Sequence, residues 1–145
     1  MSEQQKSVKL GEIIQEFNLE ILRTAPDYEN VPLRALDINR PGLPLTGFFE
    51  HFDTERLLLI GLTEHTYLSD LTPEQRRERF DRLLAYPVPA LILTRGLEAY
   101  PECLEMADKH GRTVLRSTQR TAVFMSSLIS SLYSHLAPQI TQSGV

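Results

Sequence analysis

The chain has 145 residues, 41% of them hydrophobic and 23% charged, which suits one domain with a buried core and excludes wholesale disorder. A formal net charge of -4 argues against a nucleic-acid partner or an anionic membrane partner. One cysteine, Cys103, rules out an internal disulfide framework and fits a reducing cytoplasm; the opening MSEQQKSVKL lacks a signal-peptide core, and no apolar run approaches the ~20 residues of a membrane span.

In chain order, residues 1–7 are polar and are expected to be disordered. Residues 8–17 predict a helix, with Leu10, Ile13, Ile14 and Phe17 at helical spacing and Asn18 as its stop. Residues 19–22 predict a short strand, and residues 24–30, TAPDYEN, a polar loop. Residues 31–38 alternate loosely enough to read as one strand. That strand leads into the densest stretch of the chain, DINRPGLPLTGFFEHFDTERLLLIGLTE, residues 37–64. Within it Asn39-Arg40-Pro41-Gly42 is turn chemistry: Pro41 fixes φ, Gly42 accepts positive φ, and Asn39 can bond its own backbone. Leu45, Phe48, Phe49 and Phe52 then recur at the spacing of a short helix with an aromatic face. Residues 57–60 form a continuous apolar run stopped by Gly61, the pattern of a strand covered on both faces.

Residues 63–71 predict a helix with Tyr67, Leu68 and Leu71 on one side. The next helix is announced by Thr72 as cap, Pro73 in the first turn and Gln75 completing a capping box. Phe80, Leu83 and Leu84 supply its buried face. Arg76, Arg77, Glu78, Arg79, Asp81 and Arg82 read as its solvated face, laced by Glu78 with Arg82 four residues on. Pro87-Val88-Pro89 ends it, and residues 90–93 predict a second buried strand ending at Thr94-Arg95-Gly96. Pro101 opens another helix, with Cys103, Leu104 and Ala107 inward and Lys109, His110 and Gly111 at a favourable C-terminal end. Residues 113–115 predict a third strand. The last helix, residues 121–136, carries apolar pairs at Phe124/Met125, Leu128/Ile129 and Leu132/Tyr133, with Ser126, Ser127, Ser130, Ser131 and Ser134 opposite. Pro138 and a polar tail follow.

Strands separated by helices in this rhythm predict an α/β fold, three-layered, with a largely parallel central sheet flanked by helices. Ligands of such sheets sit beyond the carboxyl ends of the strands. Those ends fall at Ile38-Asn39-Arg40, Gly61-Leu62-Thr63, Thr94-Arg95-Gly96 and Arg116-Ser117-Thr118. Arginines and hydroxyl side chains therefore gather on one rim, either as an anion site or only as caps for loops and helix starts.

Catalytic signals are missing from the sequence. The lysines are Lys6, Lys9 and Lys109, none of them after a glycine, so the phosphate-cradling GxxxxGK[ST] loop is absent. GxGxxG, CxxC and GxSxG are absent as well. His51, His65, His110 and His135 have no metal-ligand spacing, so no metal site is expected. Cys103 on an apolar helix face reads as a packed thiol, and Glu50, Asp53 and Glu55 as solvated carboxylates. The residues themselves suggest no catalytic group and no cofactor.

Five motifs in order give a resemblance across nearly the whole chain: Asp37-Ile-Asn-Arg-Pro-Gly-Leu; Glu55-Arg56 with Leu59-Ile60-Gly61 and Thr63-Glu64; Thr94-Arg95-Gly96-Leu97-Glu98; Val114-Leu115-Arg116-Ser117; and Leu136-Ala137-Pro138. With these the chain resembles the N-terminal domain of bacterial HPr kinase/phosphorylase. The resemblance implies residues 8–138 as that domain and residues 139–145 as the start of a linker to a P-loop catalytic domain. That domain, with ATP and Mg, phosphorylates a seryl residue of the phosphocarrier HPr and removes the phosphate with inorganic phosphate. It also implies a hexameric, cytoplasmic parent that couples sugar uptake to carbon catabolite control. Its partners would be its own catalytic domain, further copies of itself and HPr, with no nucleic acid and no membrane. The family's N-terminal domain is similar in fold to the uridine-nucleotide-binding domain of the Mur ligases. Many members carry a catalytic histidine where Ser143 stands, so no family catalytic residue transfers to this chain. Two expectations follow: a non-catalytic regulatory or assembly domain, or a binding domain for a sugar phosphate or nucleotide, lined by Asn39, Arg40, Arg95, Arg116 and Thr118.

Overall fold

A computed structural model describes residues 7–34, 38–39 and 56–136. The first helix, α1 (Leu10–Phe17), turns Leu10, Ile13 and Ile14 inward and stops where Asn18 takes a left-handed conformation with φ 53°. The Leu19 amide then donates to the Ile14 carbonyl at 3.0 Å, closing the last turn. The chain leaves into β2 (Glu20–Arg23), a polar loop and a 3-10 turn at Tyr28–Asn30.

The single strand expected over residues 31–38 is two strands in two sheets. Strand β3 (Pro32–Leu33) pairs antiparallel with β1 (Val8–Lys9), a strand that the sequence assigns to the helix; β4 (Ile38–Asn39) runs parallel to β5 (Leu57–Ile60). Pro32 has no N–H to give a ladder and therefore suits an edge, while Val8 and Leu33, both 2% exposed, drop into the core beside α1. The turn from Arg40 to Gly42, the aromatic stretch with Leu45, Phe48, Phe49 and Phe52, residues 1–6 and the tail from residue 137 lie outside the described residues.

From β5 onward the expected alternation holds. Helices α2 (Leu62–Ser69) and α3 (Pro73–Ala85) cross from β5 to β6 (Leu91–Leu93); α4 (Pro101–His110) crosses from β6 to β7 (Val114–Arg116); and α5 (Thr121–Leu136) follows. The main sheet has the order β2-β7-β6-β5-β4, with β4, β5, β6 and β7 parallel and β2 antiparallel on the edge beside β7. This is the expected α/β fold with a mixed, largely parallel sheet.

Alternation along the strands builds a core on each face. Leu57, Leu59, Ile92 and Leu115 meet Leu10 and Ile13 of α1 and Phe124, Leu128 and Leu132 of α5. Leu58, Ile60, Leu91, Leu93 and Val114 meet Leu68 of α2, Phe80 and Leu83 of α3, and Cys103 and Met106 of α4. The 3.6-residue period places positions 124, 128, 131 and 132 on one stripe of α5, so Ser131 is buried and donates to Glu16 Oε1 at 2.9 Å, whereas Tyr133 is 62% exposed. That reverses the sequence expectation for both residues. Arg76 also departs from the solvated face assigned to it. Its Nε pairs with Glu102 at 2.9 Å and its Nη1 donates to the carbonyls of Leu68 and Leu71, fastening α3 to α2 and α4. Glu78 and Arg82 do face each other, at 3.9 Å.

Candidate functional site

The carboxyl ends of the parallel strands form a rim built mainly from two loops. Thr94 follows β6 and is fully buried; its amide donates to the Ile60 carbonyl at 3.1 Å, and its hydroxyl lies 2.7 Å from that of Thr121, joining β6 to the start of α5. Arg95 (φ 58°) and Gly96 (φ 64°) come next, and the Leu97 amide donates back to Thr94 at 3.0 Å. Two left-handed central residues closed by such a bond make a type I′ turn. Gly96 takes that conformation without penalty, but for Arg95 it costs about 1–2 kcal/mol. Two cross-loop bonds hold it there. The Arg95 amide donates to the Gln119 carbonyl at 2.7 Å, and the Gly96 amide to the Ser117 carbonyl at 2.8 Å. The loops after β6 and β7 are thus one unit, which carries exposed Arg95, Thr118 and Arg120 side by side in the fold. Among the described residues, the Arg95 guanidinium makes no ion pair.

Arg116 has a different setting. Its Nε and Nη2 take both carboxylate oxygens of Glu20, at 3.0 and 2.9 Å, while Nη1 donates to the Leu97 carbonyl at 3.2 Å. The bidentate bond holds Glu20 below the usual carboxylate range and raises Arg116 further. Arg116 therefore clamps β2 to β7 and the turn, and contributes to the rim as a neutralised pair. Asn39 lies on β4 in register with Leu58; its side chain and the whole of Arg40 lie outside the described residues. The fold thus brings together Arg95, Arg116 and Thr118 of the five residues expected from sequence. Arg120 lies beyond the strand ends that the sequence singles out. It is the residue before α5 whose carbonyl accepts the Phe124 amide at 2.8 Å, so counting on to the next helix start would have found it.

Beside the rim, the Gly61 amide donates to Glu64 Oε1 at 2.8 Å, with Glu64 itself buried. His65 stacks on Tyr100 with ring centroids 4.6 Å apart, its Nε2 lies 2.9 Å from the Glu98 carbonyl oxygen, and the Tyr100 hydroxyl donates to the His65 carbonyl at 2.9 Å. Arg76 sits over the Tyr100 ring, 4.7 Å from its centroid. Burial pushes the Tyr100 hydroxyl up, so it stays a hydrogen-bond donor. Such a satisfied cluster holds α2, α3 and the segment before α4 together. Cys103 is buried, and burial pushes its thiol up to about 12, which leaves no thiolate for nucleophilic chemistry at neutral pH. Among the described residues no group of three or more His, Cys, Asp or Glu could hold a metal ion, and no helix is long and apolar enough to cross a membrane.

A family model described as "HPr Serine kinase N terminus" matches residues 8–132. The chain is 41% identical over 135 residues to an HPr kinase/phosphorylase of Caldicellulosiruptor bescii, covering 93% of this chain and 43% of that protein. It is 40% identical over 140 residues to an HPr kinase/phosphorylase of Alkaliphilus metalliredigens, covering 97% and 45%. The chain thus spans less than half the length of the curated relatives it matches. A solved structure of the CBS and DRTGG domains of the regulatory region of a Clostridium perfringens pyrophosphatase, complexed with the activator diadenosine tetraphosphate, superimposes with a TM-score of 0.61. It shares 16% identity, with 94% of this chain and 52% of that one covered, and so shares the fold.

Proposed function

The chain belongs to the HPr serine kinase N-terminus family, and on that premise we propose that it is the non-catalytic regulatory and assembly domain of a bifunctional HPr serine kinase/phosphorylase. The observation that carries this reading is the extent of the match: residues 8–132 fit the family's N-terminal model, and its relatives are matched over less than half their length. The sequence supports it, since neither Gly-rich phosphate-binding pattern of ATP-dependent transfer, GxxxxGK[ST] or GxGxxG, is present in it. Phosphotransfer, with its ATP and Mg, then belongs to the portion of the relatives beyond the match, acting in the cytoplasm on HPr in the control of sugar uptake. The test is direct. Purified chain, HPr and labelled ATP with Mg are incubated together; no label is expected on HPr, and transfer that survives repurification of the chain overturns the reading.

A second reading is favoured by one feature: Arg95, which makes no ion pair among the described residues, is held in a costly conformation against the loop that carries Thr118. Strain retained at an exposed cation suits a binding role. In this reading the rim, with Asn39, Arg40, Arg95, Arg116 and Thr118, takes a sugar phosphate or nucleotide in the manner of the uridine-nucleotide-binding domain of Mur ligases. A ligand at 100-fold excess over its dissociation constant adds about 2.7 kcal/mol to stability, which a thermal-shift screen of sugar phosphates, inorganic phosphate and uridine nucleotides detects. A hit lost in Arg95→Ala supports binding, and a flat screen removes it.

A further inference from the structure

Several arginines of this chain are held by carboxylates: Arg23 by Asp108, Arg76 by Glu102, Arg77 by Glu105 and Arg116 by Glu20. Arg95 and Arg120 are exposed and make no ion pair among the described residues. The fold nevertheless sets them side by side. The Arg95 amide donates to the Gln119 carbonyl at 2.7 Å, and that carbonyl belongs to the peptide group whose nitrogen is the Arg120 amide. The Gly96 amide makes a bond of the same kind, at 2.8 Å, to the peptide group that joins Ser117 to Thr118. The Ser117 hydroxyl in turn accepts the Gln119 amide at 3.1 Å, which holds the second loop in shape. A single hydrogen-bonded peptide group therefore separates the two arginine backbones, and exposed Thr118 shares the same small unit.

We propose that Arg95, Arg120 and Thr118 form the part of the rim that takes the terminal phosphate of a small phosphate monoester. The inference rests on the ligand-binding reading above and narrows it. Two cations carried by one small unit repel each other, and an anion between them turns that repulsion into attraction. Glu98, the carboxylate of the same turn, makes no ion pair among the described residues, and its charge acts on Arg116. On a chain of net charge -4 the two arginines thus form a local cationic spot that draws an anion from outside. The charge selects the class of anion. A phosphate monoester carries about -1.5 to -2 at neutral pH, which two guanidinium groups match. Arg116 adds nothing to that sum, since Glu20 takes both of its outer donors. A diester carries a single negative charge and leaves one cation unanswered. The donors agree with the charge: two planar forks and one hydroxyl meet the three terminal oxygens of a monoester, whereas a diester puts carbon on one of them.

NMR titration followed at the arginine Nε–H signals tests this. Inorganic phosphate, glucose 6-phosphate, uridine monophosphate and dimethyl phosphate are added in turn at constant ionic strength. With each of the first three, the Arg95 and Arg120 signals are expected to move together along one saturating curve, and dimethyl phosphate to bind at least about tenfold more weakly. Tighter binding of glucose 6-phosphate or of uridine monophosphate than of inorganic phosphate separates a sugar from a nucleotide source, and equal affinities make inorganic phosphate itself the ligand. Arg120→Gln is expected to weaken the binding of inorganic phosphate by about tenfold without lowering the unfolding temperature. Arg77→Gln, which removes the same charge from α3, should change it by less than about twofold because salt screens a distant charge. Dimethyl phosphate binding as tightly as inorganic phosphate overturns the proposal, as does Arg120→Gln binding like the unmodified chain. In both cases a thermal-shift hit lost in Arg95→Ala still stands, so the failure is distinguishable from failure of the rim reading. The absence of any saturating shift removes both.

Discussion

Arg95 is where sequence and conformation disagree most usefully. Thr94-Arg95-Gly96 announces a turn, and the glycine explains one left-handed residue. Nothing in the tripeptide calls for a second at an arginine, whose side chain crowds the following carbonyl at positive φ. Glycine would fit better there for stability alone. We therefore expect Arg95→Gly to fold normally and to hold or gain stability by up to about 1 kcal/mol, the relief of strain being partly offset by a freer unfolded chain. Urea denaturation reads this, and a loss of more than that amount would mean the guanidinium makes structural contacts. The same variant should abolish any ligand-induced thermal shift at the rim. Arg116 makes the opposite point. The strand-end rule picks it out as readily as Arg95, but its carboxylate partner Glu20 lies 96 residues earlier and becomes its neighbour only through the antiparallel β2–β7 pairing. No local pattern carries that information.

At the scale of elements, what was legible in the sequence was what local chemistry dictates. Helix α3 begins as the capping box requires: Thr72 Oγ1 accepts the Gln75 amide at 3.1 Å, and Gln75 Oε1 accepts the Thr72 amide at 2.9 Å. Helix α4 ends at Gly111, left-handed at φ 67°, as its sequence anticipates. Strands β5 and β6 are apolar throughout because helices cover both their faces. The failures lie where an element is too short for a period to exist. Two-residue strands such as β1 and β3 leave no alternation to read, and their pairing is decided by which apolar residues the α1 side of the core can take. Thr72→Ala removes one side of the box while leaving the buried face of α3 intact, so it should cost about 1 kcal/mol. Thr72→Ser should restore most of it. An unchanged urea midpoint in Thr72→Ala would mean that the burial of Phe80, Leu83 and Leu84 alone fixes the start of the helix.

At the scale of the whole molecule, neighbouring elements within the sheet and within one helix layer are pinned to one another by ion pairs whose partners are far apart in sequence, and acid addresses them together. Glu20 is held below its ordinary value by the bond from Arg116, and Asp81 by bonds from His110 and Lys109. Burial pushes Glu102 up, but the bond from Arg76, a backbone N–H and the charges of Arg76 and Arg77 outweigh it, so its net position is also below the ordinary value. Folded values below the unfolded carboxylate value of about 4 mean that the folded chain binds fewer protons through that range. Their contribution is present in full above the unfolded value and is lost as pH falls through the folded ones. The urea midpoint should therefore be level from neutral down to about pH 5 and drop steeply below about pH 4. Among the described residues, the Arg76–Glu102 pair, with side chains 14% and 9% exposed, is the one buried deeply enough to be followed singly. Arg76→Met leaves a buried carboxylate without its partner and should cost about 3–5 kcal/mol at pH 7. With the attraction removed, burial is opposed only by the backbone N–H and the charge of Arg77, so the folded value of Glu102 rises and its acid-linked loss of stability weakens. The deficit of the variant relative to the unmodified chain should therefore shrink as pH is lowered from 7 to 4, the opposite of the trend in the unmodified chain. A deficit constant across that range would place the loss in packing of the Arg76 stem against Tyr100 instead of in the charge.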